Sequence, residues 1–251
     1  MKRDKVLFFH PFTMQSPNFP TVLDEALEFS NSNPDTEVLM YKCRGEIQFC
    51  QQNPRGSKLN CLICQYVFDR MVRCFDDERK IKVVHLDDFI NADTDLIDFD
   101  VSTLNSFDEL KNFKKAEIDL GSGILSSYMD ITRNDNWEKL DKVLLSNLTY
   151  ASIFALNIAR AIEKALDLRS IFIFNGRLHD NKPFLNYFSS KFKNYIILET
   201  VGGRVKQDYQ KHRFYNSRPH SISTYAEQVI NNWEVSQLSN CRVQVISATG
   251  L

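Results

Sequence analysis

Apolar residues in this chain follow two rhythms: short unbroken runs, and longer stretches where they recur every three or four positions. Runs of four to eight with no polar interruption read as strands buried on both faces, whereas three-and-four spacing reads as one face of a helix. "KVLFFHP" (5–11) has the first character, and Pro17 and Pro20 then delay a helical pattern over Val22 to Phe29. "TEVLMYKC" (36–43) repeats the strand pattern. Leu62, Tyr66, Val67, Met71 and Cys74 fall at helical spacing, and "IKVVHL" (81–86) is a third strand. The order βαβαβ predicts a parallel sheet with right-handed crossovers.

From Asp87 to Asn134 the chain is first acidic and then mostly helical. Asp87, Asp88, Asp93, Asp95, Asp98 and Asp100 resemble a metal site in number, but Asp favours caps and turns, so a solvated loop is expected. Trp137 to Leu168 is the longest helical pattern, with Leu140, Leu144, Leu148, Ala151, Phe154, Ile158 and Ile162 on one face. "RSIFIFNGR" predicts a fourth strand, Lys182 to Phe192 a helix, and "NYIILET" (194–200) a fifth strand. A polar, aromatic segment (205–219) leads to a last helix near Thr224 to Leu238, and "CRVQVISATGL" closes the chain.

The fold class expected is α/β: a Rossmann-like, open, mainly parallel sheet with helices on both faces. One such domain is assigned to 1–240, with a cysteine-rich loop at 43–64, and 241–251 is read as a tail or the start of a second domain. No internal repeat or low-complexity linker divides the chain.

Composition narrows the function classes. A net charge of −1 over 251 residues provides no global attraction for nucleic acid, so an anionic ligand must be held locally. The most apolar stretch, Tyr150 to Ile162, is broken by Ser152, Asn157 and Arg160, short of the roughly 20 apolar residues of a membrane span. The first residues carry too short an apolar run for a secretory leader. A cytoplasmic protein without a membrane span is expected.

Six cysteines in a chain of this length do not indicate a disulfide scaffold. Four are clustered: Cys43, Cys50, Cys61 and Cys64. Four thiolates can close a tetrahedral shell around zinc, and Cys61-x-x-Cys64 has chelating spacing. Gly45, Asn53, Pro54 and Gly56 supply turns. Four reduced thiols in a loop, or an iron–sulfur cluster, remain open alternatives.

At the end of the fourth strand stand Asn175, Gly176 and Arg177, and at the end of the fifth stands Glu199, followed by Gly202, Gly203 and Arg204. Ligands of open parallel sheets bind outside the carboxyl ends of strands, where glycine lets the backbone approach and arginine forks onto phosphate or carboxylate. A tight Asn-Gly turn with a surface arginine is the competing reading. His10, ending the first strand, faces the same edge or is simply a polar terminus. His212 and His220 flank "RFYNSRP". No Gly-x-Gly-x-x-Gly follows a strand, no Walker sequence occurs, and no Gly-x-Ser-x-Gly elbow is present.

In order and spacing, "CRGEIQFCQQNPRGSKLNCLIC", "SIFIFNGRLHDNKPF" and "ILETVGGRVKQDYQKHRFYNSRPHS" resemble bacterial glycosyltransferase-like proteins of capsular polysaccharide biosynthesis. The resemblance spans about residues 5 to 235 and includes a Phe-x-Asn-x-x-Pro-His segment, here Phe214, Asn216, Pro219 and His220. It implies the amino-terminal half of a GT-B arrangement, two Rossmann-like domains facing across a cleft, with no catalytic metal. It further implies a glycan or lipid-linked glycan acceptor on this half, and a nucleotide-sugar donor on a second or separate domain. Asn175, Gly176, Arg177, Gly202, Gly203, Arg204, Asn216 and His220 would bind ligand, and Glu199 or His10 would act as base. Where the family has Glu-Arg-Gly after the fifth strand, this chain has Glu199-Thr200-Val201-Gly202-Gly203, with Arg204 displaced. Enzyme activity is therefore expected only alongside a nucleotide-sugar domain. A zinc-stabilised, non-catalytic binding or scaffold protein and a thiol or iron–sulfur redox protein are the other two classes considered.

Overall fold

The computed structural model describes residues 4–14, 18–89, 104, 106–134, 136–191, 194–201 and 210–216. Its elements are β1 (Lys5–Phe9), α1 (Asn18–Ser32), β2 (Glu37–Tyr41), α2 (Lys58–Phe75) and β3 (Ile81–Val84), then α3 (Phe107–Lys111), β4 (Lys114–Lys115), β5 (Ile118–Asp119) and α4 (Gly121–Thr132). They end with α5 (Lys142–Ala165), β6 (Ser170–Phe174), α6 (Lys182–Lys191), β7 (Tyr195–Val201) and β8 (Gln210–Tyr215). Six strands form one sheet in the order β3-β2-β1-β6-β7-β8, and β4 and β5 form a separate small hairpin. All neighbours in the large sheet run parallel except β7 and β8. The chain is a mixed α/β protein with a Rossmann-like open sheet, as its pattern predicts.

Strand periodicity explains the unbroken apolar runs. Leu7, Phe9, Leu39, Tyr41, Ile171, Ile173 and Ile197 face α5 and α6, packing on Ala151, Ile158, Ile162, Phe184 and Phe188. Their neighbours Val6, Phe8, Val38, Met40, Phe172, Phe174 and Leu198 face the other way, onto Phe19, Val22, Leu23 and Ala26 of α1 and Phe68 of α2. Both faces are covered, so polar positions have no place in these strands. The rings stack across neighbours: Phe8 on Phe172 at 4.2 Å between centroids and Phe9 on Phe184 at 3.7 Å.

Three details differ from the pattern. Trp137 to Leu168 is not one helix: a short 3-10 turn, Trp137–Lys139, precedes α5, whose start is set by Asp141, with Oδ1 accepting the Leu144 N–H at 3.0 Å. By length and composition α5 is able to cross a membrane, yet 67% of its most apolar window is buried inside the fold. In sequence, β8 shows only as a polar, aromatic segment. It is an edge strand, whose Lys211 and Arg213 reach Asp24, Glu25 and Glu28 of α1. Charged partners across an edge replace the apolar alternation that would have announced it.

In the acidic stretch, Asp88 accepts the His85 N–H and Asp87 pairs with exposed Arg44, as a solvated loop with caps requires. Asp93, Asp95, Asp98 and Asp100 lie outside the described residues, as do the expected last helix and tail.

Candidate functional site

β1 leads into α1 on one face of the sheet, whereas β6, its neighbour, leads into α6 on the opposite face. The two exit loops therefore diverge, opening a crevice at the carboxyl ends of β1 and β6, the place where open α/β sheets bind ligands. A cleft of about 130 Å³ lies there, walled by Phe12 from the first loop and Asn18 at the start of α1, and by Phe174 at the end of β6 with Asn175, Arg177, Leu178 and Asn181 from the loop after it. Gln51, Gln52 and Asp130 complete it.

The Asn-Gly-Arg turn is built by backbone geometry. Asn175 and Gly176 both have positive φ, 63° and 71°, which turns the chain sharply off the strand. A Cβ on Gly176 would stand 2.6 Å from Leu185 Cδ2, so any larger residue must displace that side chain as well as adopt the left-handed conformation. Asn175 Oδ1 accepts the Arg177 N–H at 3.1 Å, and its Nδ2 donates to Glu199 Oε2 at 3.5 Å. Arg177 is exposed, its side chain on the cleft rim.

The far wall is carried by a loop distant in sequence. His179, fully buried, accepts at Nδ1 from the Ser127 hydroxyl (2.8 Å) and donates from Nε2 to the Phe49 carbonyl (2.7 Å). That carbonyl only accepts, which fixes the tautomer. Burial lowers the His179 pKa, so the ring is neutral. Next to it, buried Asp180 accepts the Gln51 N–H at 2.8 Å, its pKa raised by burial. Gln51 Nε2 then donates to Asp130 at 3.0 Å, while its Oε1 is buried without a hydrogen-bond partner. Asn181 completes the loop, donating to the Phe174 carbonyl and accepting from the Leu178 N–H. Gln51, Gln52, Asp130, Asn181 and the His179–Asp180 pair escaped the sequence reading, because each matters only through a partner 50 or more positions away or through a local turn.

Other expected residues are placed less favourably. His10 does end β1 at the crevice, but it is 3% exposed, and its ring lies among Phe12, Phe19 and Phe174. Burial pulls its pKa down to about 3, and neither ring nitrogen has a hydrogen-bond partner. A base needs contact with its proton donor, and this ring stands behind Phe12 and Phe174, which line the cleft. Glu199 lies on β7 in register with His212 and touches Asn175.

Asn216 belongs elsewhere. It has φ 50° and exchanges two hydrogen bonds with the Tyr195 backbone, closing the β7–β8 ladder. Because β8 runs antiparallel, its end lies beside the start of β7, at the opposite edge from Asn175 and Arg177. The cavity there, about 200 Å³, is lined by Phe29, Arg169, Tyr195 and Asn216. Gly202, Gly203, Arg204 and His220 lie outside the described residues.

Cys43, Cys50, Cys61 and Cys64 do meet. All four line one void of about 20 Å³, with Pro11, Met14, Gly45, Ile47, Gln52, Asn53 and Asn60. Cys50 is buried and the other three half-buried, and none forms a disulfide. Burial raises the pKa of Cys43, Cys50 and Cys61, which keeps them protonated as free thiols, unlike the low-pKa, exposed cysteines of redox catalysts. Among the described residues, no three His, Cys, Asp or Glu side chains are gathered as tightly as the ligands of one ion.

No family model matches the chain, and no curated protein matches it. Among solved structures, tyrosyl-tRNA synthetase of Leishmania major in complex with tyrosinol is similar in two crystal forms. Identity is 8% and 11%, TM-score 0.45 for both, over 80% and 85% of this chain. The same enzyme with fisetin gives 9% identity and a TM-score of 0.44 over 81% of this chain. This chain spans 26% to 32% of the length of those proteins.

Proposed function

We propose that this chain is the acceptor-binding half of a glycosyltransferase of surface-polysaccharide assembly, working in the cytoplasm with a nucleotide-sugar domain. The observation that carries the reading is the cleft at the β1–β6 switch point. Its walls offer carboxamides from Gln51, Gln52 and Asn175, a carboxylate from Asp130 and a guanidinium from Arg177. Paired donors and acceptors of this kind suit a polyhydroxylated ligand, and the apolar walls, Phe12, Phe174 and Leu178, suit the face of a sugar ring. Arg177 adds charge for a phosphate or acidic sugar.

The resemblance to capsular glycosyltransferase-like proteins supports the pathway, and the cleft supports the glycan. Of the two candidate bases Glu199 is the less enclosed: it is partly exposed and accepts from Asn175, a residue of the cleft wall, so it is the one assigned to take a proton from an acceptor hydroxyl. His10, caged and neutral, is assigned to packing.

Calorimetric titration with neutral and acidic oligosaccharides, sugar phosphates and UDP-sugars tests the proposal. Acidic glycans should bind, and Arg177→Ala should weaken them by roughly 10- to 150-fold, because a hydrogen bond to a charged group contributes roughly 1.5–3 kcal/mol. Arg177 is exposed, so the melting temperature should not move. Failure of every saccharide to bind, or wild-type affinity in Arg177→Ala, would overturn it.

A further inference from the structure

The four cysteines sit where three parts of the chain meet. Cys43 follows β2, Cys50 lies in the loop that walls the cleft, and Cys61 and Cys64 lie in the first turns of α2. Each sulfur is met by an N–H. The Gly45 N–H donates to Cys43 Sγ at 3.3 Å, with the Ile47 backbone beside it. The Gln52 backbone donates to Cys50. Asn53 Nδ2 donates to Cys61 Sγ at 3.3 Å, and the Thr13 N–H to Cys64 Sγ at 3.3 Å. Donors aimed at all four sulfurs favour the thiolate form that binds metal, against the burial that holds the metal-free thiols protonated, and they match the outer-shell partners that orient metal ligands.

The shell is also held in shape. Gly45, at φ 104°, lies against Cys61: a Cβ there would be 3.8 Å from Cys61 Cβ and 3.9 Å from its sulfur. Asn53, buried, ties the loop together through the carbonyls of Gln48 and Ser57 and the Ser57 N–H. Thr13 Oγ1 donates to the Cys64 carbonyl at 2.7 Å, bringing the β1 exit loop to the same place.

We propose that Cys43, Cys50, Cys61 and Cys64 bind one zinc ion, and that this site positions the Phe49–Gln52 segment as a wall of the switch-point cleft. The void of about 20 Å³ matches a single particle, since one water needs about 10–15 Å³ measured the same way. An iron–sulfur cube is several atoms larger. The sulfurs line one void but are not gathered at ligand distance, so binding an ion would draw them together across it. A closed shell of four thiolates leaves no open position, so the ion is structural and takes no part in a reaction.

The link to the cleft is direct. Gln52 lines both the void and the cleft, Cys50 is its near neighbour, and Gln51 between them donates its N–H to Asp180. Pro11 and Met14 border the void while Phe12 borders the cleft, so the β1 exit loop is shared as well. The proposal does not depend on which ligand the cleft takes.

The purified full chain should contain about one zinc by elemental analysis. Cobalt(II) exchanged into it should give the intense visible bands of a tetrahedral tetrathiolate site. Cys61→Ser with Cys64→Ser should cut bound zinc at least five-fold, while Cys74→Ser, on the exposed side of α2, should leave it unchanged. That double variant risks unfolding, so a second readout uses the native sequence: hydrogen exchange of the Gln51 amide. Removing zinc with a strong chelator should speed that exchange at least ten-fold, and adding zinc back should restore it. Less than a tenth of an equivalent of zinc, iron with acid-labile sulfide, or zinc retained by the double variant would overturn the metal site. An unchanged Gln51 exchange rate after chelation would overturn its role in the cleft.

Discussion

His10 makes the folded state sensitive to mild acid. Its ring is buried among Phe12, Phe19 and Phe174, and burial lowers its pKa from 6.5 to about 3. Between those values the unfolded chain binds a proton that the folded chain refuses, so the neutral ring's contribution is complete above pH 6.5 and is lost as pH falls towards 3. At 1.36 kcal/mol per pH unit, the loss between pH 7 and pH 5 is about 2 kcal/mol. His10→Phe removes the titrating group and adds a ring to an aromatic cage. Melting curves of wild type and variant, followed by circular dichroism from pH 7 to pH 5, should diverge. The wild type should lose roughly 4–8 °C more than the variant, taking 2–4 °C per kcal/mol for a unit of this size. Other carboxylates and histidines titrate equally in both proteins and cancel in the difference. Parallel curves would refute the reasoning: His10 would then be solvated enough to protonate in place, and its claim as a base would return.

Two further outcomes follow from local geometry. Gly176→Ala should cost about 2–4 kcal/mol, combining the left-handed conformation with the close approach of Leu185, and should show as a lowered urea midpoint; a midpoint within error of wild type would refute the packing. Asp141→Ala should remove the cap of α5 and cost about 1 kcal/mol in the same titration, whereas Asp141→Asn or Asp141→Ser should retain most of it.

The candidate site was legible in part. Asn175, Gly176 and Arg177 announced themselves because glycine after asparagine at a strand end has few other uses, and their place at the crevice follows from strand order. The four cysteines were legible as a set by spacing. Hidden from that reading were Gln51 and Gln52, whose amides are ordinary until Asp180 and the Cys50 loop bring them to the cleft. His179 and Ser127 look like any histidine and serine until the fold buries them at 2.8 Å. Asn216 illustrates the opposite: a plausible motif residue that antiparallel pairing sends to the far edge of the sheet.

What the sequence determined by itself was the fold class and the five parallel strands, because strands buried on both faces admit only apolar residues and so mark themselves in one dimension. Charge and helix caps likewise act between near neighbours, which is why the acidic turn after β3 was readable. The tertiary structure alone decided which strand lies beside β1, since pairing of β1 with β6 depends on which helices cover which face, and that pairing creates the crevice. It also decided that the His10 ring is caged among Phe12, Phe19 and Phe174 and that β8 exists. Its charges are satisfied by α1, about 185 positions earlier in the chain, and no local pattern records such a partner.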